Sequence, residues 1–173
     1  MNDPNDGARV FIPGTIKIIG IGQSLRGDDA AGLAAVNLWY ETYQVNVSRP
    51  IVQMELAELP GIELLGLLEG VRVAILVDAV HSDTKAGTVQ VITENQLESF
   101  KDGSSSAHGW GVAETLSLGR KLMPSALPGK LILIGIEASQ LNLGEKLSPD
   151  VESALPDVAR LIEHYINENS AHK

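Results

Sequence analysis

Short apolar runs alternate with segments of helical period along this chain, and this alternation restricts the possible folds more than any other feature. The runs with the length and composition of strands are residues 15–21, 51–56, 71–79 and 130–136. The segments with apolar residues at helical spacing are residues 28–43, 61–69, 112–123 and a last helix that opens at Ser148-Pro149. Such alternation is typical of a layered α/β fold with a mainly parallel sheet.

Two local patterns refine this prediction. In residues 87–93 apolar and polar side chains alternate, which predicts an edge or half-exposed strand. At the start of the last helix, Ser148 fits the N-cap and Pro149 fits the first helical position.

The length of 173 residues fits one domain with its own core. We expect a flexible leader at residues 1–14, a single α/β domain at residues 15–168 and a C-terminal tail at residues 169–173. The first residues are acidic and polar, unlike a signal peptide, and no apolar run approaches the roughly 20 residues that span a bilayer. These features predict a cytoplasmic protein that does not insert into membranes.

The complete absence of cysteine limits the available chemistry. It excludes disulfides, thiolate nucleophiles, iron–sulfur clusters and zinc fingers. Any metal site must therefore use oxygen and imidazole ligands. The net charge of −9 repels phosphate backbones, so we expect no nucleic-acid partner.

Acidic side chains and one histidine stand at the predicted carboxyl edge of the sheet, where ligands bind in such folds. Asp28 and Asp29 follow the first strand, Asp78 ends the third, and His108 lies in a small-residue loop before a helix. Each has a simpler explanation by itself: helix capping for the adjacent aspartates, a turn role for Asp78, and a solvated loop position for His108. Taken together, Asp29, Asp78 and His108 form an open oxygen-and-nitrogen site for a divalent ion such as nickel or zinc.

Two other chemistries fit these residues less well. The chain has no G-x-S-x-G, and the serines near His108 lack the context of a catalytic nucleophile. Gly20 and Gly22 follow a strand as in a dinucleotide-binding fingerprint, but Leu25 occupies the place of the third glycine. The aspartates at 28 and 29 also stand where a pyrophosphate needs bare amide donors. A nucleotide-binding α/β domain is therefore the weaker alternative.

Several motifs occur in order between about Thr15 and Ile166. They are Ile19-Gly20-Ile21-Gly22 with Leu25 and Asp28-Asp29-Ala30-Ala31-Gly32, Pro60-Gly61-Ile62-Glu63-Leu64-Leu65, Val77-Asp78-Ala79 with Ala86-Gly87-Thr88-Val89, Ser106 to His108 with Glu114 and Leu116, Gly135-Ile136-Glu137, and Leu147-Ser148-Pro149 with Val151. In this order and spacing they resemble the maturation endopeptidases of [NiFe] hydrogenases. The set is far more specific than any single motif.

The resemblance implies a three-layer α/β/α sandwich, phosphorylase/hydrolase-like, with a twisted, mostly parallel five-stranded sheet. It implies an endopeptidase that removes the C-terminal extension of the hydrogenase large-subunit precursor once nickel is inserted. Carried over to this chain, it assigns catalysis and contact with the nickel to Asp29, Asp78 and His108. The family usually has Asn where this chain has Gln23, whose longer side chain reaches differently into the loop.

Our hypothesis is that nickel arrives with the substrate and serves as the recognition element, while other divalent ions can occupy the site in vitro. The residues expected to bind the substrate around it are Gly20, Gly22, Gln23, Asp28 and Gly109. The alternative that stays open is a nickel-binding checkpoint or chaperone that holds the large subunit without cutting it.

Overall fold

A computed structural model describes residues 15–44, 52–58, 60–97 and 112–170. One sheet has the order β2-β1-β3-β5-β4. Its strands are β1 (Ile16–Gly22), β2 (Val52–Glu58), β3 (Val73–Val80), β4 (Val89–Thr93) and β5 (Lys130–Glu137). All neighbours are parallel except β4, which runs antiparallel to β5 at one edge. The predicted five-stranded, mostly parallel sheet is confirmed, and the edge position of β4 explains its alternating pattern.

Helices cover both faces of the sheet. The helices are α1 (Ala31–Trp39), α2 (Glu63–Leu68), α3 (Glu94–Leu97), α4 (Val112–Leu122) and α5 (Pro149–Ser170). α1 and α5 share one apolar core with the sheet, whereas α2 and α4 share the core on the other face. Within the described ranges, no helix combines the length and apolar character needed to cross a membrane.

The segment predicted as one helix over residues 28–43 is divided into three parts. A 3₁₀ turn (Gly27–Ala30) precedes α1, and a π-helical turn (Tyr40–Gln44) follows it. At the second junction the Thr42 hydroxyl donates to the Leu38 carbonyl at 2.7 Å, a local bond that competes with the regular helical ladder.

The last helix continues to Ser170, two residues beyond the domain limit that the sequence predicted. Its end is held because the Arg72 guanidinium donates to the Asn169 carbonyl at 2.6 Å, and Asn169 is buried.

Glycines allow α1 and its preceding turn to lie directly on the ends of two strands. A Cβ at Gly32 would come closer than 3.0 Å to the carbonyl oxygens of Ile21 in β1 and Val77 in β3. A Cβ at Gly20 would lie 2.7 Å from the Gly32 oxygen, and one at Gly22 would collide with the Asp29 oxygen. The turn that carries Asp29 is therefore fixed at the carboxyl ends of β1 and β3.

We predict that Gly32→Ala destabilises the protein by at least about 2 kcal/mol, because two backbone carbonyls would have to move away from the added methyl group. The matched control is Gly66→Ala in α2, where an added Cβ meets nothing within 4 Å. The control should leave stability unchanged or raise it by up to about 1 kcal/mol, since alanine favours helix. Urea unfolding measures both changes, and equal stability of the two variants would contradict this account of the packing.

Candidate active site at the carboxyl ends of the strands

The structure brings Asp29 and Asp78 together at the carboxyl edge of the sheet. Asp78 lies in β3, paired with Gly135 of β5, and only 2% of it is exposed. Asp29 lies in the 3₁₀ turn before α1 and is fully buried. Its backbone nitrogen donates to the Arg26 carbonyl at 3.2 Å, which closes the turn. Two carboxylates predicted from distant parts of the sequence are thus neighbours in a buried environment.

The electrostatics of this pair favour a cation. Burial raises the pKa of Asp78 to about 8, the negative charge of Asp29 adds to the rise, and a hydrogen bond from the Ala79 backbone opposes it. The Oδ1 atom of Asp78 is buried and has no hydrogen-bond partner among the described residues. A buried carboxylate oxygen in this state is costly unless it is protonated or bound to a positive ion. The pair therefore has the chemistry of two oxygen ligands for a divalent metal.

His108 and Gly109 lie outside the described residues, so the predicted third ligand and the predicted substrate contact at these positions stay predictions. Within the parts of the chain that the structure describes, no group of three His, Asp or Glu side chains is placed to hold a metal ion. The structure brings Asp29 and Asp78 together, and their role as metal ligands stays a prediction.

Asp28 has a different role from that of its neighbour. Its carboxylate is fully buried and accepts hydrogen bonds from the backbone nitrogens of Ser139, Gln140 and Ser148 and from the hydroxyls of Ser139 and Ser148, at 2.6–3.1 Å. Burial alone would raise the pKa of Asp28, but these donors outweigh it and hold the pKa below its ordinary value. The carboxylate points into the fold, and the structure gives no support to our expectation that it contacts substrate.

These contacts join two loops, which we call the rim loops: residues 23–28, after β1, and residues 139–148, after β5. Backbone hydrogen bonds link Gly144 to Leu25, Asp28 to Gln140 and Gly27 to Glu145, at 2.8–3.2 Å. The second rim loop was not assigned to the site from sequence. The available signal was its position after a buried strand of the same parallel sheet.

The contacts of Ser148 explain why the sequence alone did not predict the link between the two rim loops. Ser148 occupies the position before α5, as predicted from the Ser-Pro pair. Its hydroxyl, however, donates to Asp28 at 2.9 Å, a residue 120 positions earlier in the chain. A capping sequence therefore contributes to the tertiary anchor of the rim loops.

The substrate contacts predicted at the first strand stay predictions, and the structure adds a packing role for two of these residues. Gly20 and Gly22 are buried against α1 and its turn, so their lack of a side chain serves packing rather than contact with a ligand. Gln23 is half-buried, and its backbone nitrogen donates to the Asp29 carbonyl at 3.3 Å. Its predicted role in substrate binding stays a prediction.

Glu137 is a further buried carboxylate at this edge. It ends β5 and accepts hydrogen bonds from the backbone nitrogen of Ser82 and, at 2.9 Å, from the Ser82 hydroxyl. Because Ser82 lies four residues after Asp78, these bonds tie the chain that leaves β3 to the end of β5. This contact gives the acid of the Gly135-Ile136-Glu137 motif a positioning role.

Comparisons with known proteins agree with one another. The family described as hydrogenase maturation protease (HycI) matches residues 59–165, which include Asp78 and His108. The hydrogenase expression/formation protein HoxM of Azotobacter vinelandii is 26% identical over 155 residues, covering 88% of this chain and 72% of that protein.

Solved structures extend the likeness to the fold. The hydrogenase maturating endopeptidase HybD from E. coli has a TM-score of 0.77 and 25% identity, with coverage of 89% of this chain and 93% of that chain. The [NiFe] hydrogenase maturation protease HybD from Thermococcus kodakarensis has a TM-score of 0.67 and 25% identity, with coverage of 87% and 98%.

We predict that Asp28→Asn destabilises the protein by at least about 2 kcal/mol at pH 7, because an amide nitrogen would face donors that need an acceptor. The pKa of Asp28 is lowered in the fold, so the advantage of the wild type is present above about pH 4 and shrinks as the pH falls through the folded-state pKa. The exposed Asp83→Asn serves as control and should change stability by less than about 0.5 kcal/mol. Urea unfolding at pH 3 and pH 7 checks this, and a pH-independent loss would contradict it.

For Asp78 the sign is opposite. Its pKa is raised to about 8 in the fold, so between about pH 4 and pH 8 only the unfolded state ionises and wild-type stability falls as the pH rises. Asp78→Asn removes this charge, so the variant should gain at least about 1 kcal/mol over the wild type at pH 7 and almost nothing at pH 4. Thermal or urea unfolding across that range, with the exposed Asp83→Asn as control, measures the difference. A gain that does not grow with pH would argue against a desolvated Asp78.

Proposed function

The chain belongs to the hydrogenase maturation protease family, and on this premise we propose that it removes the C-terminal extension of a [NiFe] hydrogenase large-subunit precursor after nickel insertion. The family consists of peptidases, so the protein is a hydrolase that cleaves a peptide bond. We place its action in the cytoplasm, on a protein substrate rather than on nucleic acid or lipid.

The buried pair of Asp29 and Asp78 carries the proposal. Burial and the negative charge of Asp29 oppose ionisation of Asp78, and a cation bound between the two side chains would favour the ionised form. Since the chain has no cysteine, its own ligands are oxygen and, at His108, imidazole nitrogen. Such ligands bind a borderline ion without matching the affinity of thiolates. We therefore treat nickel as part of the substrate: thiolates of the precursor keep the ion, and Asp29, Asp78 and His108 contact it during recognition.

The chemistry required at this site is hydrolysis of one peptide bond. Water adds to the scissile carbonyl carbon, the C–N bond breaks, and the new amine takes up a proton. The substrate's nickel can polarise the carbonyl or a water molecule. We propose that a carboxylate of Asp29 or Asp78 accepts the proton of the attacking water, so that the pair both contacts the ion and serves as general base.

The nucleotide-binding alternative is opposed by the backbone of the rim loops. The amides of Gly27, Asp28 and Asp29, which would have to bind a pyrophosphate, donate instead to the carbonyls of Glu145, Gln140 and Arg26. The buried carboxylates at positions 28 and 29 add negative charge at the same place. No contact in the described residues favours this function.

We predict that the protein cleaves a nickel-loaded precursor and leaves a nickel-free precursor intact. Asp29→Ala and Asp78→Ala should each lower kcat/KM by at least about a hundredfold, since a ligand to a catalytic ion contributes several kcal/mol. The exposed Asp83→Ala at the same edge is the matched control and should cut at the wild-type rate. Intact mass of the precursor measures the loss of its C-terminal segment.

The outcomes separate the candidate functions. Equal cutting of both forms of precursor would contradict recognition of nickel. Stable binding of the loaded precursor without any change of mass would indicate the checkpoint or chaperone instead. Full activity of Asp78→Ala would remove the carboxylate pair from the mechanism.

A further inference from the structure

We propose that the rim loops dock an apolar, uncharged segment of the precursor beside the scissile bond, with Leu25 and Leu143 as the contact residues. This inference rests on the proposed function and adds a specificity-determining surface to it.

Both leucines are exposed to an unusual degree for large apolar side chains: Leu25 is 70% exposed and Leu143 is 78% exposed. A single exposed leucine needs no explanation, but these two stand on loops whose backbones are bonded to each other. The Gly144 amide donates to the Leu25 carbonyl at 2.8 Å. Since Gly144 directly follows Leu143 in the chain, this bond joins the two backbone segments that carry the exposed leucines.

The rim loops are held firmly beneath these side chains. The carboxylate of Asp28 is buried and accepts hydrogen bonds from both ends of the second loop. The Arg26 guanidinium donates to the Leu141 carbonyl at 3.0 Å and adds a side-chain link between the loops. An apolar group that is already fixed in its binding position loses little conformational entropy when a partner covers it. Docking surfaces commonly have this property, whereas exposed leucines on loosely held loops do not.

Position relative to the site identifies the occupant. The Arg26 amide donates to the Gln23 carbonyl and the Asp29 amide donates to the Arg26 carbonyl, both at 3.2 Å. Leu25 therefore lies in the turn that leads directly to Asp29. Because this turn adjoins Asp29, the rim surface is next to the region where the proposed substrate brings its nickel centre, and a segment of that substrate is the occupant that we infer.

The charges around the leucines favour an uncharged partner segment. Exposed Glu145 and Lys146 follow Leu143 with opposite signs, so the second rim loop presents no patch of one charge. The Arg26 guanidinium is already engaged with a backbone carbonyl. These features suit burial of apolar side chains of the precursor and do not suit a strongly acidic or basic peptide.

The test compares Leu25→Ser, Leu143→Ser and the double variant with the wild type on nickel-loaded precursor. The matched control is Leu122→Ser, because Leu122 is 69% exposed but lies far from the site. Leu122 ends α4, eight residues before the start of β5, whereas the site lies at the carboxyl ends of the strands. We expect each rim variant to raise KM by about fivefold or more, with kcat within twofold of the wild type. The control should change neither constant, and thermal unfolding should be the same for all variants.

Leu25→Met and Leu143→Met complete the design, since an apolar side chain of similar volume should restore KM. Unchanged KM in the double variant, or an equal rise in Leu122→Ser, would overturn the proposal. Sedimentation could also overturn the proposal. If the wild type dimerises and the double variant does not, with KM unchanged, the rim loops join two copies of this chain instead.

Failure of the proposed function gives a different result. In that case the wild type leaves the nickel-loaded precursor uncut, and binding of the precursor is measured instead. A dissociation constant raised about fivefold or more by the rim variants, and not by Leu122→Ser, would then still support the docking surface; equal dissociation constants would overturn it.

Discussion

The close approach of the α1 turn to the strand ends is the constraint on which the site depends. Gly20, Gly22 and Gly32 remove the side chains that would separate the helix from β1 and β3. With that separation gone, Asp29 at the start of the helix comes close enough to Asp78 in β3 for its charge to raise the pKa of Asp78. The glycine motif thus acts through steric fit between backbones, whereas in a dinucleotide-binding fold a similar motif exposes amides to a phosphate.

Asp28 and Asp78 are both buried, but they have different roles because their surroundings differ. Asp28 is ionised in the interior at little cost, since five protein donors satisfy its oxygens. Asp78, the counterpart of Asp29 in the pair, is buried with an oxygen that the described residues leave without a hydrogen bond. One carboxylate therefore stabilises the loops in the charged state, while burial and the charge of Asp29 oppose ionisation of Asp78. A site of the second kind gains free energy when a cation enters, and this difference is the physical basis for placing function at Asp29 and Asp78.

The rim loops connect the two parts of this arrangement. Asp28 fixes the loop after β5 to the loop after β1, and the turn that contains Leu25 leads into Asp29. The same anchor therefore sets the position of Asp29, for which we propose contact with the metal, and of the apolar surface that we propose for the precursor. The absence of cysteine fits the proposed recognition of nickel, because oxygen and imidazole ligands would contact a thiolate-bound ion without competing strongly for it.

The sequence by itself determined the fold class and the mostly parallel five-stranded sheet, because apolar period and order along the chain are local properties. It also placed Asp29 and Asp78 at the carboxyl ends of two strands, where the structure makes them neighbours. Local pattern did not reveal the division of the first helical segment, where the Thr42 side chain competes with the helical ladder. Tertiary structure alone showed that Asp28 is a buried anchor, gave Gly20 and Gly22 a packing role, and brought Ser139 and Ser148 to a carboxylate more than a hundred residues away. These features depend on which backbones approach each other at the sheet edge, and no local sequence signal encodes that approach.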